Sequence, residues 1–496
     1  MTLRVTNSLT GEREPFEPRD PDSVLLYYCG LTTSDPAHLG HARGWVHVDV
    51  MHRWLAWLGY DVRHVENFTD VNEKIVARVG EVADSEQAVA ASYVSDILRD
   101  MRSLNLLRAE VYPRVSEHVP EIIDLVERLL KQGYAYEANG SVYFDVTSFE
   151  EYGALSNQQL DEMEAQDAPE EQSEKRNPAD FALWKADGVD PGEITDHQHG
   201  AAAPAEEAVE TARTWDSPWG EGRPGWHIEC SVMSMTHLDD TIDIHVGGQD
   251  LVFPHHENEI AQSEAATGER FARYWLHVRL LDAADEEKMS SSLGNFETVA
   301  EAVERYGPDV VRTFLLSTSY RSPATYSRET MAEADERWDR LERGYERAVE
   351  AADSIDARTK VTDQALRDAV PAVREAFEAA MNDDFNSREA LTALLELVNA
   401  VNRHLDDYEE YDYRALREAV ETFEEFGGGV LGLQFGGAAG DGDISVAEEL
   451  VDLLLEVREQ ERAAGNYERA DQLRDDVERL GIEVQDTDEG YEYRFE

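Results

Sequence analysis

Apolar and polar positions fall into distinct periods along the first hundred residues. Val24, Leu25, Leu26, Tyr27 and Tyr28 form a short unbroken apolar run, the pattern of a buried parallel strand. A loop of turn formers runs from Gly30 to Pro36, and a helical stretch is predicted from about Leu39 to Leu58, stopped by Gly59. A second β-like run, residues 61–65, follows at once. This strand–helix–strand order predicts an α/β fold on a doubly wound parallel (Rossmann-type) sheet whose ligand lies at the strand C-termini.

The pattern changes between about 115 and 230. Ile122, Ile123, Leu125, Val126, Leu129 and Leu130 give a helical apolar face, and residues 134–136 and 142–144 flank Asn139-Gly140, a strong hairpin signal. An insertion into the sheet is expected here. Residues 161–176 and 186–213 are acidic and poor in apolar periodicity, so surface loops are expected, with His197 and His199 solvated. Strand character resumes at residues 241–246, passes Gly247-Gly248 and opens a helix at about Pro254. Beyond 330 the spacing of Leu391, Leu394, Leu395 and Val398 is that of a helical bundle. Glycine-rich stretches at 427–429 and 436–442 predict a linker, followed by a terminal unit with Leu450, Leu453, Leu454 and Val457 on one helix face. That unit breaks at Gly465-Asn466 and ends in β-like residues 482–484 and 491–493. The expected organisation is a catalytic domain over 1–114 and 231–329, an inserted subdomain over 115–230, a helical bundle over 330–426, a linker over 427–445 and a small mixed α/β unit over 446–496.

Charge changes this picture. The 496 residues carry 105 Asp and Glu against 45 Lys and Arg, a formal net charge of -60, and only six of the basic residues are lysine. An ordinary basic nucleic-acid-binding surface is excluded, yet 42% hydrophobic residues leave ample material for cores. An acidic, lysine-poor surface of this kind resembles adaptation to molar intracellular salt, where the Debye length is about 3 Å. Two cysteines, Cys29 and Cys230, make no disulfide framework. The N-terminus has no signal-peptide core, and no segment approaches about 18 consecutive apolar residues, so a cytoplasmic chain with no membrane partner is expected.

His38-Leu39-Gly40-His41 sits where the first strand's loop becomes a helix. Histidines three apart share a helix face, and a helix start offers free N–H groups and a positive dipole end to an anion. Lys288-Met289-Ser290-Ser291-Ser292-Leu293-Gly294-Asn295 places one of the six lysines in a Ser-rich loop able to wrap phosphates. Together these segments resemble the HIGH and KMSKS signatures of class I aminoacyl-tRNA synthetases. The segments 225–233 (GWHIECSVM), 253–263 (FPHHENEIAQS), 28–32 (YCGLT) and 67–70 (NFTD) narrow the resemblance to the cysteinyl-tRNA synthetase family over nearly the full length.

His255 and Glu259 are four apart and so on one helix face, a spacing that lets both bind one ion. Cys29 ends the first strand, and a parallel sheet can bring Cys230 to the same edge. The residues alone also fit two buried thiols and a surface His–Glu pair. The family resemblance implies one Zn²⁺ held by Cys29, Cys230, His255 and Glu259, selecting the substrate thiolate from serine's hydroxyl. It further implies that His38 and His41 contact ATP phosphates, Gly40 admits the adenosine, and Lys288 holds the pyrophosphate within a loop including Ser290, Ser291 and Ser292. Gly30, Thr32, Thr69, Trp226, His245 and Asp250 would line the cysteine and nucleotide pocket, Mg²⁺ would accompany ATP, and the chain would act on tRNA(Cys) as a monomer.

Two departures stand out: Ser291 replaces the second lysine of KMSKS, and the acidic stretch 186–213 is longer than expected. Two other functions compete, a small-molecule cysteine ligase acylating an amino-sugar and a non-catalytic tRNA-binding paralogue. Against the ligase, residues 381–386 and the region of Asn466-Tyr467 resemble tRNA-binding parts; against the paralogue stand His38, His41 and Lys288. Arginine forks survive salt screening better than lysine point charges, so recognition of a polyanion is expected to use arginine, stacking and shape.

Overall fold

The computed structural model describes residues 2–160, 163, 173–186, 188–198, 202–283, 297–436, 455, 458, 469, 470 and 473, and the backbone of two strands, Ile482–Thr487 and Gly490–Phe495. Its residues fall into two units, Met1–Leu433 and Gln434–Glu496.

The first unit is organised on a four-stranded parallel sheet in the order Ala272–Val278, Ile242–Gly248, Ser23–Tyr28, Asp61–Glu66. Strands buried on both faces read as apolar runs, and Val24, Leu26, Tyr27, Ile242, Ile244 and Val246 are buried accordingly. The two strand–helix–strand halves meet between Ser23–Tyr28 and Ile242–Gly248, so the strand order reverses there and opens a crevice at their C-terminal ends. The backbone amide of Cys29 donates to Val246 O at 3.1 Å across that seam. Helix Leu39–Trp57 follows the first strand, as its periodicity predicts. It is tied down from inside by Arg43, whose guanidinium donates to the carbonyls of Arg279, Leu315, Ser319 and Ser322 and to Thr318 Oγ1.

The insertion is a five-stranded antiparallel sheet in the order Ala135–Ala138, Ser141–Phe144, Phe181–Ala186, Gly220–Pro224, Trp215–Ser217. Asn139 and Gly140 both take positive φ, 50° and 91°, as a two-residue hairpin turn of the primed type requires. Helix Val119–Gln132 buries Ile122, Leu125, Val126 and Leu129 against it. The insertion ends five residues earlier than residue 230. Gly225 starts helix Trp226–His237, which carries Cys230 without interruption. A side chain at Gly225 would meet Ala182 O at 1.9 Å, so the chain can turn out of the sheet only on glycine.

The stretch 186–213 is not the plain surface loop its composition suggests. Helices Pro191–His197 and Ala205–Ala208 bury Ile194, Ala205 and Ala208 against Ile75, Val76, Val89 and Ala90. His197 is only partly exposed, and its carbonyl accepts from Arg78. His199 and residues 164–172 lie outside the described residues.

Helices Arg328–Asp353, Gln364–Met381, Ser387–Asp407 and Tyr413–Thr422 form the bundle, with Leu391, Leu394 and Val398 buried. The bundle runs past the expected end at 426: Phe423–Val430 continues as a widened helical turn, and Leu431 and Leu433 are buried. Gly432 serves close packing there, since a side chain at that position (φ 70°) would meet Arg312 Nη2 at 2.3 Å. Arg312 itself is fully buried and donates to Asp49 Oδ2 at 2.7 Å and Leu431 O at 2.6 Å. Residues 427–433 are therefore bundle, and residues 437–445 of the expected linker lie outside the described residues. In the second unit, Ile482–Thr487 pairs antiparallel with Gly490–Phe495. Leu450, Leu453, Leu454, Val457 and Gly465-Asn466 lie outside the described residues.

Candidate functional site

Four ligating side chains converge at the reversal point of the parallel sheet. Cys29 ends its strand, Cys230 sits on helix Trp226–His237, His255 lies in the turn Val252–His256, and Glu259 is in the first turn of helix Glu257–Thr267. All four are buried, and their donor atoms lie within 4.8 Å of one another. His255 Nε2 is 3.1 Å from Glu259 Oε1, to which Cys29 Sγ also donates at 3.4 Å.

Their electrostatics are linked. The Cys29 thiol hydrogen-bonds Cys230 and, against burial, pulls the Cys230 thiol down to about 6. Burial holds the Cys29 thiol well above its ordinary value. Burial would lower His255, but Cys230 and Glu259 raise it to about 10. Burial would raise Glu259, but His245 and His255 bring it down to about 2. One thiolate and one carboxylate thus face a shared centre where a cation is favourable. Two sulfurs, one imidazole nitrogen and one carboxylate oxygen fit the soft, four-coordinate preference of Zn²⁺.

The surroundings contain residues that sequence reasoning missed. Cys29 and Glu259 also belong to a second donor group with His245 and His256. His245 Nε2 is 3.0 Å from Glu259 Oε2, and the ring stacks on Trp275 at 4.3 Å, fully buried beneath the cluster rather than open to the pocket. His245 Nδ1 and His256 Nε2 have no hydrogen-bond partner. His227 Nδ1 lies 3.0 Å from His255 Nδ1, orienting that ring from outside. Asn67 Oδ1 accepts from the Gly30 amide at 3.0 Å and from Tyr27 at 2.9 Å. Gly30 needs to be glycine, because a Cβ would meet Asn67 O at 1.7 Å. The signal for the extra imidazoles was the His255-His256 doublet and the His227 that precedes Cys230 by three residues.

Across the crevice, His38 caps helix Leu39–Trp57. The Gly40 amide donates to His38 Nδ1 at 3.1 Å and the His38 amide to His41 Nδ1 at 3.3 Å, a reciprocal capping pair that stacks the rings 3.7 Å apart. A Cβ on Gly40 would meet the His38 ring at 2.8 Å. Burial, then His38, pushes His41 well below its ordinary value. Thr32 and Thr69 are bridged in parallel between the loops after strands Ser23–Tyr28 and Asp61–Glu66. Trp226 is 41% exposed with its ring 4.5 Å from His255, and Asp250 is exposed beside Gly248. Lys288, Ser290, Ser291 and Ser292 lie outside the described residues.

The reversing parallel sheet, the histidine-capped helix after its Ser23–Tyr28 strand and the helical bundle are the fold of a class I tRNA synthetase, as comparison with known proteins shows. Residues 15–336 match the family model described as the tRNA synthetases class I (C) catalytic domain, and residues 376–436 match the DALR domain. A solved Mycobacterium tuberculosis methionyl-tRNA synthetase, in complex with methionyl-adenylate, shares the fold at a TM-score of 0.57 and 16% identity, over 80% of this chain and 88% of that one. The cysteine–tRNA ligase of Haloarcula marismortui is 76% identical over the whole of both chains, and that of Halobacterium salinarum 63% identical over 99% of both. The chain belongs to the cysteine–tRNA ligase family.

Proposed function

We propose that the chain attaches L-cysteine to tRNA(Cys) at the expense of ATP, and that it does so with one zinc ion held by Cys29, Cys230, His255 and Glu259. The observation that carries this reading is the convergence of those four donors at the end of the Ser23–Tyr28 strand. Cysteine and serine differ by one atom, and shape or hydrogen bonding separates such near-isosteres by only about a hundredfold. When bound there, zinc supplies a soft Lewis acid that prefers a thiolate sulfur to a hydroxyl oxygen.

The chain's own groups position the rest. The substrate carboxylate attacks the α-phosphate of ATP, giving cysteinyl-adenylate and pyrophosphate, and the terminal ribose hydroxyl of the tRNA then displaces AMP from the acyl carbon. His38 and His41 hydrogen-bond the phosphates, Gly40 leaves room for the adenosine, and Lys288 with Ser290, Ser291 and Ser292 holds the departing pyrophosphate. Gly30, Thr32, Thr69, Trp226 and Asp250 line the cysteine and ribose pocket, and His245 supports it from below by fixing Glu259. Mg²⁺ enters with ATP. The protein works as a cytoplasmic monomer; among the described residues no helix is long and apolar enough to cross a membrane.

The test is ATP–pyrophosphate exchange at molar KCl, with zinc measured on the same sample. Exchange with cysteine, about none with serine, and one zinc per chain are expected. Equal exchange with both amino acids overturns the selector role.

A further inference from the structure

Arg43 stands two residues after His41 on helix Leu39–Trp57 and is fully buried. Its guanidinium donates to the carbonyls of Arg279, Leu315, Ser319 and Ser322 and to Thr318 Oγ1, at 2.8 to 3.5 Å, and none of these acceptors is a carboxylate. A buried cation held by neutral oxygens forgoes the attraction of a counter-ion. What the contact supplies is geometry: a planar fork bound through all three nitrogens fixes the position and angle of the helix that bears it. The stretches it grips, Arg279 and residues 315–322, stand on either side of Lys288 in the sequence. They are joined to each other as well, because the Arg279 amide donates to Tyr320 O at 2.8 Å.

Tyr320 leads from this grip to the bundle. Its side chain is fully buried, with its ring 6.3 Å from that of His47 on the helix of Arg43, and its hydroxyl donates to Asp384 Oδ1 at 2.8 Å. The same carboxylate accepts from the Thr6 amide at 2.8 Å and the Thr6 hydroxyl at 2.7 Å, and the Asp384 amide donates to Arg4 O at 3.0 Å. Asp384 and Phe385 form the turn between helices Gln364–Met381 and Ser387–Asp407, and they take φ of 66° and 52° in succession. Side chains rarely adopt that left-handed conformation, and two in a row persist only where the surroundings over-determine them. Here the bonds to Thr6, Arg4 and Tyr320 do so. One series of direct contacts thus runs from the bundle turn through Tyr320 and residues 318–322 to Arg43, and the bonds named reach none of the four donors of the metal centre.

We propose that Arg43, Tyr320 and Asp384 are positioning residues for the activation step, through which the bundle turn sets the helix that presents His38 and His41 to the ATP phosphates. The inference rests on the phosphate-facing role of those two histidines proposed above. A displacement of about 1 Å in a reacting geometry costs about a hundredfold in rate, so contacts that never touch substrate are read in turnover rather than in the hold on cysteine.

The test measures ATP–pyrophosphate exchange on the zinc-loaded full chain at molar KCl, as kcat and as the KM for cysteine, with zinc content and thermal midpoint on the same samples. Arg43→Lys loses the fork and is expected to lower kcat roughly a hundredfold. Asp384→Gly accepts the left-handed backbone but lacks the carboxylate, and should lower kcat roughly tenfold; Tyr320→Phe, which removes one hydroxyl, should lower it about fivefold. Asp384→Asn also tolerates the turn and keeps Oδ1 for Tyr320 and Thr6, so its kcat should stay within about twofold of the parent. In all four, the KM for cysteine within about twofold and one zinc per chain are expected. Val398→Ala, in the bundle core away from this series, should lower the thermal midpoint and leave kcat unchanged. Unchanged kcat in both Asp384→Gly and Tyr320→Phe, a fall in Asp384→Asn equal to that in Asp384→Gly, an equal fall in Val398→Ala, or loss of zinc in step with kcat overturns the proposal. Exchange unharmed in His41→Ala overturns the phosphate-facing role itself, and the inference with it.

Discussion

His255 is a buried imidazole and His41 a partly exposed one, and their surroundings drive them in opposite directions. His255 faces the Cys230 thiolate and the Glu259 carboxylate, which raise it to about 10 in spite of burial. Burial and the stacked His38 take His41 well below its ordinary value. Around His255 a thiolate and a carboxylate leave surplus negative charge, whereas at the helix cap the His41 ring is kept neutral. The difference shows that residue type alone does not assign a role: the same side chain is held charged in one place and neutral in the other by what surrounds it.

The comparison is tested most severely at Cys230. Cys230→Ser keeps the shape and removes the soft donor, so zinc content should drop below one per chain. Cysteine-dependent exchange should fall by more than about a hundredfold, beyond what losing an outer-shell partner costs. Retained zinc and retained exchange would dissolve the contrast. His41→Ala should cost about a hundredfold in exchange, typical of a lost electrostatic donor, with zinc still at one per chain. Loss of zinc in that variant would mean the two sides are not independent.

The smallest effect is read from stability against pH in the zinc-free protein. His255 gains a proton on folding, so its contribution is complete below pH about 6.5 and is lost as pH rises through about 10. His41 stays neutral in the fold while the unfolded chain binds a proton below pH about 6.5, so stability is lost as pH falls below that value. Each group contributes a slope of up to about 1.4 kcal/mol per pH unit. The Cys230 thiolate, whose stabilisation grows as pH rises from about 6 towards the free-thiol value near 8.5, offsets the His255 loss over that range. Thermal unfolding from pH 5 to 10 should therefore fall on the acid side, less steeply in His41→Asn, and on the alkaline side only above about pH 8.5, less steeply in His255→Asn. A curve unchanged by both variants would contradict the opposed shifts.

The strands around the crevice were legible because burial on both faces leaves unbroken apolar runs, and the hairpin because Asn139-Gly140 takes a turn few other pairs adopt. Two misreadings have physical causes. Residues 191–208 bury only small or isolated apolar groups, Ile194, Ala205 and Ala208, too sparse to give a helical period. The 427–429 glycines look like a tether, but they continue the helical turn Phe423–Val430, whose Phe423, Phe426 and Val430 are buried in the bundle. At the site, spacing placed His255 and Glu259 on one face. It could not show His245, from strand Ile242–Gly248, meeting Glu259, or His227 on the Cys230 helix meeting His255, because those contacts are made by tertiary packing.

The seam between Cys29 and the second half of the sheet has a consequence for synthesis of the chain. Cys29 precedes Glu259 by 230 residues. At a translation rate of roughly 5–20 residues per second, the Cys29 thiol leaves the ribosome some ~10–50 s before its last partner exists. During that interval it must stay reduced and resist premature metal capture, and the nascent first half cannot finish the crevice alone. The donor cluster can thus be completed only once the chain has been made at least through Glu259.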